Sequence, residues 1–330
     1  MALLVWGKFT ALLILIYIFG TRAAKSADLI AEKKGLAKAF MGVVFISMVT
    51  SFPELFTGIS AVTVVDSPDL AMGEILGSCL FNLLIIAVIE IVYKKNTFFQ
   101  LKGKINILPI AFSFIMINVL TMGIALQFGF AILNVSIFSI LIFFLYIFFL
   151  RIIYKERKAG ANENTGTSSV NLRKEIFLFA VSSLIIIGVG IYLPVVGEEI
   201  STVMGWNKSF VGIIFLAFVT SFPELVISFS TARMGAFDML LGNITGSNLF
   251  NVGIIFFIDI FYIKHQLFGA VSPVNVTVGI IALLMNFILF FAVVRQSRQK
   301  ILNIVSINAL MLILLYIINL FVIYYVPGEG

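Results

Sequence analysis

The hexapeptide Thr-Ser-Phe-Pro-Glu-Leu occurs twice in this chain, at 50–55 and again at 220–225. Further along, the run from Gly77 through Ser78, Cys79, Leu80, Phe81 and Asn82 is answered by Gly246, Ser247, Asn248, Leu249, Phe250 and Asn251. The first pair of motifs is offset by 170 positions and the second by 169. One residue is therefore inserted in the first copy between Glu54 and Asp69, because Asp69 already pairs with Asp238 at the shorter offset. Milder matches extend upstream: Gly20 with Gly190, Asp28 with Glu198, Gly35 with Gly205 and Gly42 with Gly212. Chance does not produce such a series, so the chain is built from two copies of one unit.

Composition says where that unit lives. Of 330 residues, 61% are hydrophobic and only 12% charged, against about a quarter charged in soluble domains. Apolar runs recur at about 2–20, 39–64, 69–93, 106–124, 128–150, 174–197, 208–232, 238–262, 271–294 and 301–326, each long enough to cross a bilayer. Nucleic-acid binding, soluble catalysis and fibrous roles are excluded, and no room is left for a separate soluble domain. The opening run lacks a charged leader and a cleavage site, so it is expected to stay as a span. Ten spans in two copies give five per copy. An odd number sends the second copy into the membrane from the opposite side, so the expected fold is all-α integral membrane: ten transmembrane helices as two inverted five-helix repeats. This is the plan of secondary transporters.

Basic residues are distributed to match. Of the 22 lysines and arginines, all but Lys8, Lys208 and Lys264 fall on segments that the span count places on one side. By the positive-inside rule that side is cytoplasmic and both termini lie outside. The polar stretch from Lys155 to Lys174, with Gly160, Gly166, Ser168 and Ser169, reads as a flexible linker. The expected division is a first repeat at 1–154, a cytoplasmic linker at 155–173 and a second repeat at 174–330.

Polar chemistry inside the spans points to a cation. Glu54 and Glu224 sit in the middle of spans two and seven, where a carboxylate costs on the order of 2.5–3.5 kcal/mol on insertion scales. No lysine or arginine lies in the core of any span to pair with them, so bound cations or protons must supply the compensation. Pro53 and Pro223 remove an amide donor and clash with the carbonyls of Val49 and Val219, which predicts kinks that free carbonyls near Thr50 and Thr220. Ser78 and Asn82 are one turn apart on span three, as Ser247 and Asn251 are on span eight, and add neutral oxygens. Gly73, Gly77, Gly242 and Gly246 allow close helix approach. Such an all-oxygen set suits Ca²⁺, which takes six to eight ligands, with room for Na⁺. One cysteine, Cys79, and one histidine, His265, are too few for a soft metal or a disulfide.

The duplicated motifs, together with Gly242 to Asn251, resemble the repeats of the calcium/cation antiporter superfamily, most closely its sodium/calcium exchanger branch. That resemblance implies two long gating helices, one opening each half, that slide past an eight-helix core. It further implies that Glu54 and Glu224 are shared Ca²⁺ and Na⁺ ligands. Thr50 and Thr220 would then give backbone carbonyls, Ser51, Ser221, Ser78 and Ser247 would serve flanking Na⁺ sites, Ser47 and Ala217 would offer carbonyls at their edges, and Asn82 would be a central amide. Three positions depart from the family pattern. Asn251 stands where an aspartate is often found, Gly73 is followed by Glu74 where asparagine is usual, and Cys79 replaces the asparagine kept at Asn248. With Asp66 and Asp69 nearby, Glu74 is expected to be an outer vestibule charge, with a direct ligand as the alternative.

The resulting expectation is a plasma-membrane antiporter that exchanges Ca²⁺ for Na⁺ by alternating access, with the lipid bilayer as its surroundings. Exchange coupled to H⁺ is the alternative, and a passive cation channel a more distant one. Four hydroxyls at repeat-equivalent positions favour Na⁺, since protons need no such ligands. An enzyme is not expected, for there is no nucleophile–base pair and no HExxH motif. No resident cofactor is expected, and a site completed by two halves of one chain does not require an oligomer.

Overall fold

In lipid an apolar run can satisfy its own backbone groups only as a helix or a closed barrel, and in the computed structural model of this chain the runs are helices. It describes residues 1–33, 44, 46–93, 107–127, 131–132, 134–158, 171–295, 300–301 and 305–325. Span one is Ala2–Lys33, span three Pro68–Val92, span four Leu108–Leu126 and span five Ile137–Lys158. Span six is Leu172–Met204, span nine Val274–Arg295 and span ten Ile307–Tyr325. Span eight joins Phe237–Gly253 to Ile255–Phe261.

Spans two and seven are broken. Span seven runs from Lys208–Val211 through a π-helical turn, Gly212–Leu216, to Ala217–Thr220, then bends by 48° into Phe222–Arg233. Its mate, described continuously from Ile46, runs Ser47–Thr50 and then Phe52–Thr63. The breaks fall at Ser51 (φ −91°, ψ 14°) and Ser221 (φ −83°, ψ 9°). Pro53 and Pro223 therefore begin new helices rather than kink continuous ones, at positions where a missing N–H costs nothing.

The inversion is visible in ion pairs. Lys8, near the start of span one, meets Glu199 near the end of span six at 2.8 Å. Arg22, further along span one, meets Glu175 near the start of span six at 2.8 Å. The two spans are repeat mates and lie antiparallel, so the copies face opposite ways. Other pairs repeat the relation. Glu90 at the end of span three accepts from the Ser306 hydroxyl at the mouth of span ten (2.9 Å). Its mate Asp259, at the end of span eight, accepts from Ser139 Oγ (2.6 Å) and the Ser136 amide (2.8 Å) at the mouth of span five. The chain is an all-α integral membrane protein of ten helices in two inverted five-helix repeats.

Several boundaries differ from the hydropathy reading for local reasons. Span one continues past residue 20 to Lys33 because its polar end has partners on span six: Arg22, and Ser26 donating to Glu175 at 2.9 Å, with Ala23 and Ala27 buried between them. Spans five and ten start later than expected. A short hairpin precedes each, Ala131–Ile132 with Val135–Ser136 and Lys300–Ile301 with Val305–Ser306. The inserted residue of the first copy falls in a turn. Four residues, 64–67, join the helices there, with Asp66 in the left-handed region, where three residues, 234–236, with Gly235 suffice in the second copy. Most of the basic loops, residues 159–170 of the linker and the last five residues lie outside the described residues.

Spans three and eight form the centre. In their apolar windows 72% and 78% of residues are inside the protein, against 22% in spans one, five and ten, so the outer helices are those that meet lipid. Small residues bring span three against span seven. A Cβ at Gly77 would overlap the Ile213 backbone, and one at Gly212 would overlap Leu70 O and Glu74 N. The outer pair of helices meets the broken spans in the same way, with Gly20 against the Pro223 ring and Gly190 against Phe56.

Candidate cation site

Both breaks deliver a Thr-Ser-Phe-Pro-Glu run to the centre of the protein, where Thr50 and Thr220 end one helix and Glu54 and Glu224 lie in the first turn of the next. A carboxylate in a helix's first turn faces unpaired amides and the positive end of the dipole, a favourable place for buried negative charge. Glu54 and Glu224 are 0% exposed.

The contacts cross between copies. Ser51 Oγ donates to Glu224 Oε1 and Ser221 Oγ donates to Glu54 Oε1, each at 3.1 Å. The Thr50 and Ser247 hydroxyls lie 3.4 Å apart, and so do those of their mates Thr220 and Ser78. Neither half holds a complete site. Two-fold correspondence brings Thr50, Ser51, Glu54, Ser78, Thr220, Ser221, Glu224 and Ser247 into one buried cluster of oxygens. The carbonyls of Ser47 and Ala217 lie on its edge and accept from Thr50 Oγ1 and Thr220 Oγ1 at 3.1 and 3.4 Å. The second carboxylate oxygens, Glu54 Oε2 and Glu224 Oε2, have no partner among the described residues.

The central amides are arranged less evenly. Asn82 donates to Asn248 Oδ1 at 3.0 Å, and Asn248 donates to the Cys79 carbonyl at 3.2 Å. Asn248 therefore links the two copies where Cys79 is its mate. Asn251 is fully buried with neither amide atom partnered among the described residues.

Glu74 is where the sequence reading fails. It is not an outer vestibule charge but is 0% exposed, and Thr220 Oγ1 donates to its Oε1 at 3.0 Å. Asp66 and Asp69 lie at the turn between spans two and three. The first pairs with Lys264 at 2.8 Å, and the second accepts from the Ser272 amide at 2.7 Å and from Asn275 at 3.1 Å. The signal for Glu74 was its spacing, since Glu74, Ser78 and Asn82 recur every four residues and share one helix face.

Oxygen is the only donor element in the cluster's carboxylates, hydroxyls and amides, which fits a hard cation. Among the described residues no three histidine, cysteine or acidic side chains converge on one metal position. A cation there must rely on neutral oxygens beside the two glutamates. Paired inverted repeats, broken helices and a shared anionic centre define a membrane cation exchanger.

Comparison with known proteins specifies the family. The sequence model of the sodium/calcium exchanger protein family matches residues 4–155 and 174–325, and the chain belongs to that family. It is 26% identical over 258 residues to an uncharacterized membrane protein of Methanocaldococcus jannaschii, covering 75% of this chain and 78% of that one. A match to the sodium/calcium exchanger MaX1 of Methanosarcina acetivorans is 30% identical over 118 residues, 34% of this chain and 33% of the other. Among solved structures, the sodium-calcium exchanger NCX_Mj soaked with Na⁺ and Sr²⁺ is similar with a TM-score of 0.63 and 23% identity, covering 96% of this chain and 98% of that one. At that identity the likeness speaks for the fold.

Proposed function

We propose that this exchanger moves Ca²⁺ against Na⁺ by alternating access, with Glu54 and Glu224 as the ligands both ions share. The observation that carries the reading is the crossed pair of hydrogen bonds, Ser51 to Glu224 and Ser221 to Glu54. It leaves one buried oxygen on each carboxylate without a partner among the described residues. Two carboxylates balance one Ca²⁺. Na⁺ ions at the same carboxylates expel it by taking the same charge, helped by the hydroxyls of Ser51, Ser78, Ser221 and Ser247 and the carbonyls near Thr50, Thr220, Ser47 and Ala217. Asn82 and Asn251 supply amide oxygen at the centre. The antiparallel pair of spans one and six is the element that moves. It crosses the broken spans at Gly20 and Gly190, which pack closely on the Pro223 ring and on Phe56.

In this reading the repeats occupy 1–154 and 174–330, the linker 155–173 is cytoplasmic, both termini lie outside, and the plasma membrane is the site of action. One chain suffices for transport, no step requires a cofactor, and no bond is made or broken. Equilibrium binding tests the shared site. The apparent affinity of the purified protein for ⁴⁵Ca²⁺ falls as Na⁺ is raised, with more than one Na⁺ displacing each Ca²⁺. Ca²⁺ binding indifferent to Na⁺ contradicts the proposal.

A further inference from the structure

Spans nine and ten leave a cavity of about 490 Å³ between them, a volume typical of small-molecule sites. Span nine has 22 residues and is about 33 Å long at 1.5 Å per residue, close to the thickness of a hydrocarbon core. Its last residue, Arg295, therefore stands at headgroup level on the rim of the cavity, beside Asn308 in the first turn of span ten. Phe287 and Phe291 of span nine and Met311 and Leu314 of span ten form the walls, and all four are exposed on the lipid-facing side. From Leu284 up to Arg295 the cavity follows span nine for about 16 Å. That is the depth of one leaflet of a core about 30 Å thick.

Among the described lining residues only the two at the rim are polar. The Arg295 guanidinium lies over the Phe291 ring, 5.7 Å from its centroid, and forms no ion pair among the described residues. The carboxylate at this end of span three, Glu90, is buried and accepts from Ser306. Asn308 Nδ2 is buried with no partner among the described residues, and hydrocarbon offers none, at a cost of about 1–3 kcal/mol for an unsatisfied donor. A phospholipid supplies what each group lacks: a phosphate for the guanidinium, an ester oxygen below it for the amide, and a chain one leaflet long for the walls. The start of span ten adds the positive end of its dipole at the same rim. A zwitterionic lipid fills the walls equally well but brings its own cation to the phosphate. The mated joint lacks the polar rim: span four ends on Leu126, and the second residue of span five is Phe138, packed on the Phe268 ring at 5.9 Å. We propose that the joint between spans nine and ten is a binding site for an anionic phospholipid, with its phosphate on Arg295 and one acyl chain in the cavity. The site is independent of which ions are exchanged.

Native mass spectrometry tests it, on the purified full-length protein released from micelles that hold equal amounts of phosphatidylglycerol and phosphatidylcholine with the same acyl chains. The wild type is expected to retain phosphatidylglycerol over phosphatidylcholine by about fivefold, the weight of one basic side chain at an anionic surface. Arg295→Gln is expected to lose most of that preference and Arg295→Lys to keep most of it. Met311→Trp, which fills the cavity and leaves Arg295 in place, is expected to lower retention of both lipids. Arg295 and Met311 are exposed, so these variants are expected to fold, as elution profile and melting temperature will show. Equal retention of the two lipids by the wild type overturns the inference. A preference that persists in Arg295→Gln overturns it too, because the selectivity then comes from other basic residues. Unchanged retention in Met311→Trp removes the cavity as the seat of the chain, and a lipid-free dimer closed over this face contradicts the proposal as well.

Discussion

The first and second copies of the repeat teach most where they are set side by side. Around residues 50–55 and 220–225 they are identical in sequence and equivalent in geometry, with crossed serine–glutamate bonds of the same length. Around 74–82 and 243–251 they diverge: Glu74 stands against Asn243 and Cys79 against Asn248, and Ser247 bonds Glu224 in addition to the threonine contact that it shares with Ser78. The motif that carries the two central glutamates is kept symmetric. The neighbouring helices, spans three and eight, are not.

That contrast sets the order of expected effects. Glu54→Gln and Glu224→Gln should each reduce ⁴⁵Ca²⁺ uptake into proteoliposomes by about a hundredfold or more, because either loss leaves a divalent ion half neutralised in a low-dielectric centre. A large difference between the two would break the symmetry claimed for the motif. Ser247→Ala should slow Na⁺-driven uptake by about tenfold and Ser78→Ala by about threefold, since Ser247 donates to Glu224 and Ser78 is bonded to Thr220 instead. Equal effects would show that the flanks are equivalent. Gly20→Val and Gly190→Val should destabilise the protein by about 1–3 kcal/mol in a denaturation assay and lower turnover with it, since even a Cβ there would come within 2.5 Å of the Pro223 ring or 2.9 Å of Phe56 Cβ. The smallest effect belongs to the exposed Lys264–Asp66 pair. Lys264→Ala should change stability by less than about 0.5 kcal/mol in a denaturation assay and leave transport unaltered.

Much of this architecture was legible because the copies are so alike near the glutamates. An odd span count and a duplicated Pro-Glu motif led to inverted repeats and to the two central carboxylates. Hydropathy missed features whose reasons lie far away in sequence. Residues 21–33 look like a loop until Glu175 is brought beside Arg22 and Ser26. The hairpins before spans five and ten are apolar enough to be absorbed into the spans, and only the repeated strand pairing sets them apart. Glu74 was misplaced because its neighbours in sequence, Asp66 and Asp69, belong to the turn between spans two and three, while its neighbours on the helix face, Ser78 and Asn82, belong to the buried cluster. Asn248 as the link between copies had no signal in one chain, since its partner carbonyl belongs to Cys79.

The central claim is that Ca²⁺ and Na⁺ exchange through one centre assembled from both copies. ⁴⁵Ca²⁺ uptake into proteoliposomes, compared under an outward Na⁺ gradient, an outward H⁺ gradient and no gradient, tests it most directly. The account predicts uptake against a Ca²⁺ gradient only when Na⁺ runs outward, abolished in Glu54→Gln and in Glu224→Gln. Uptake driven by the proton gradient and indifferent to Na⁺ would contradict it.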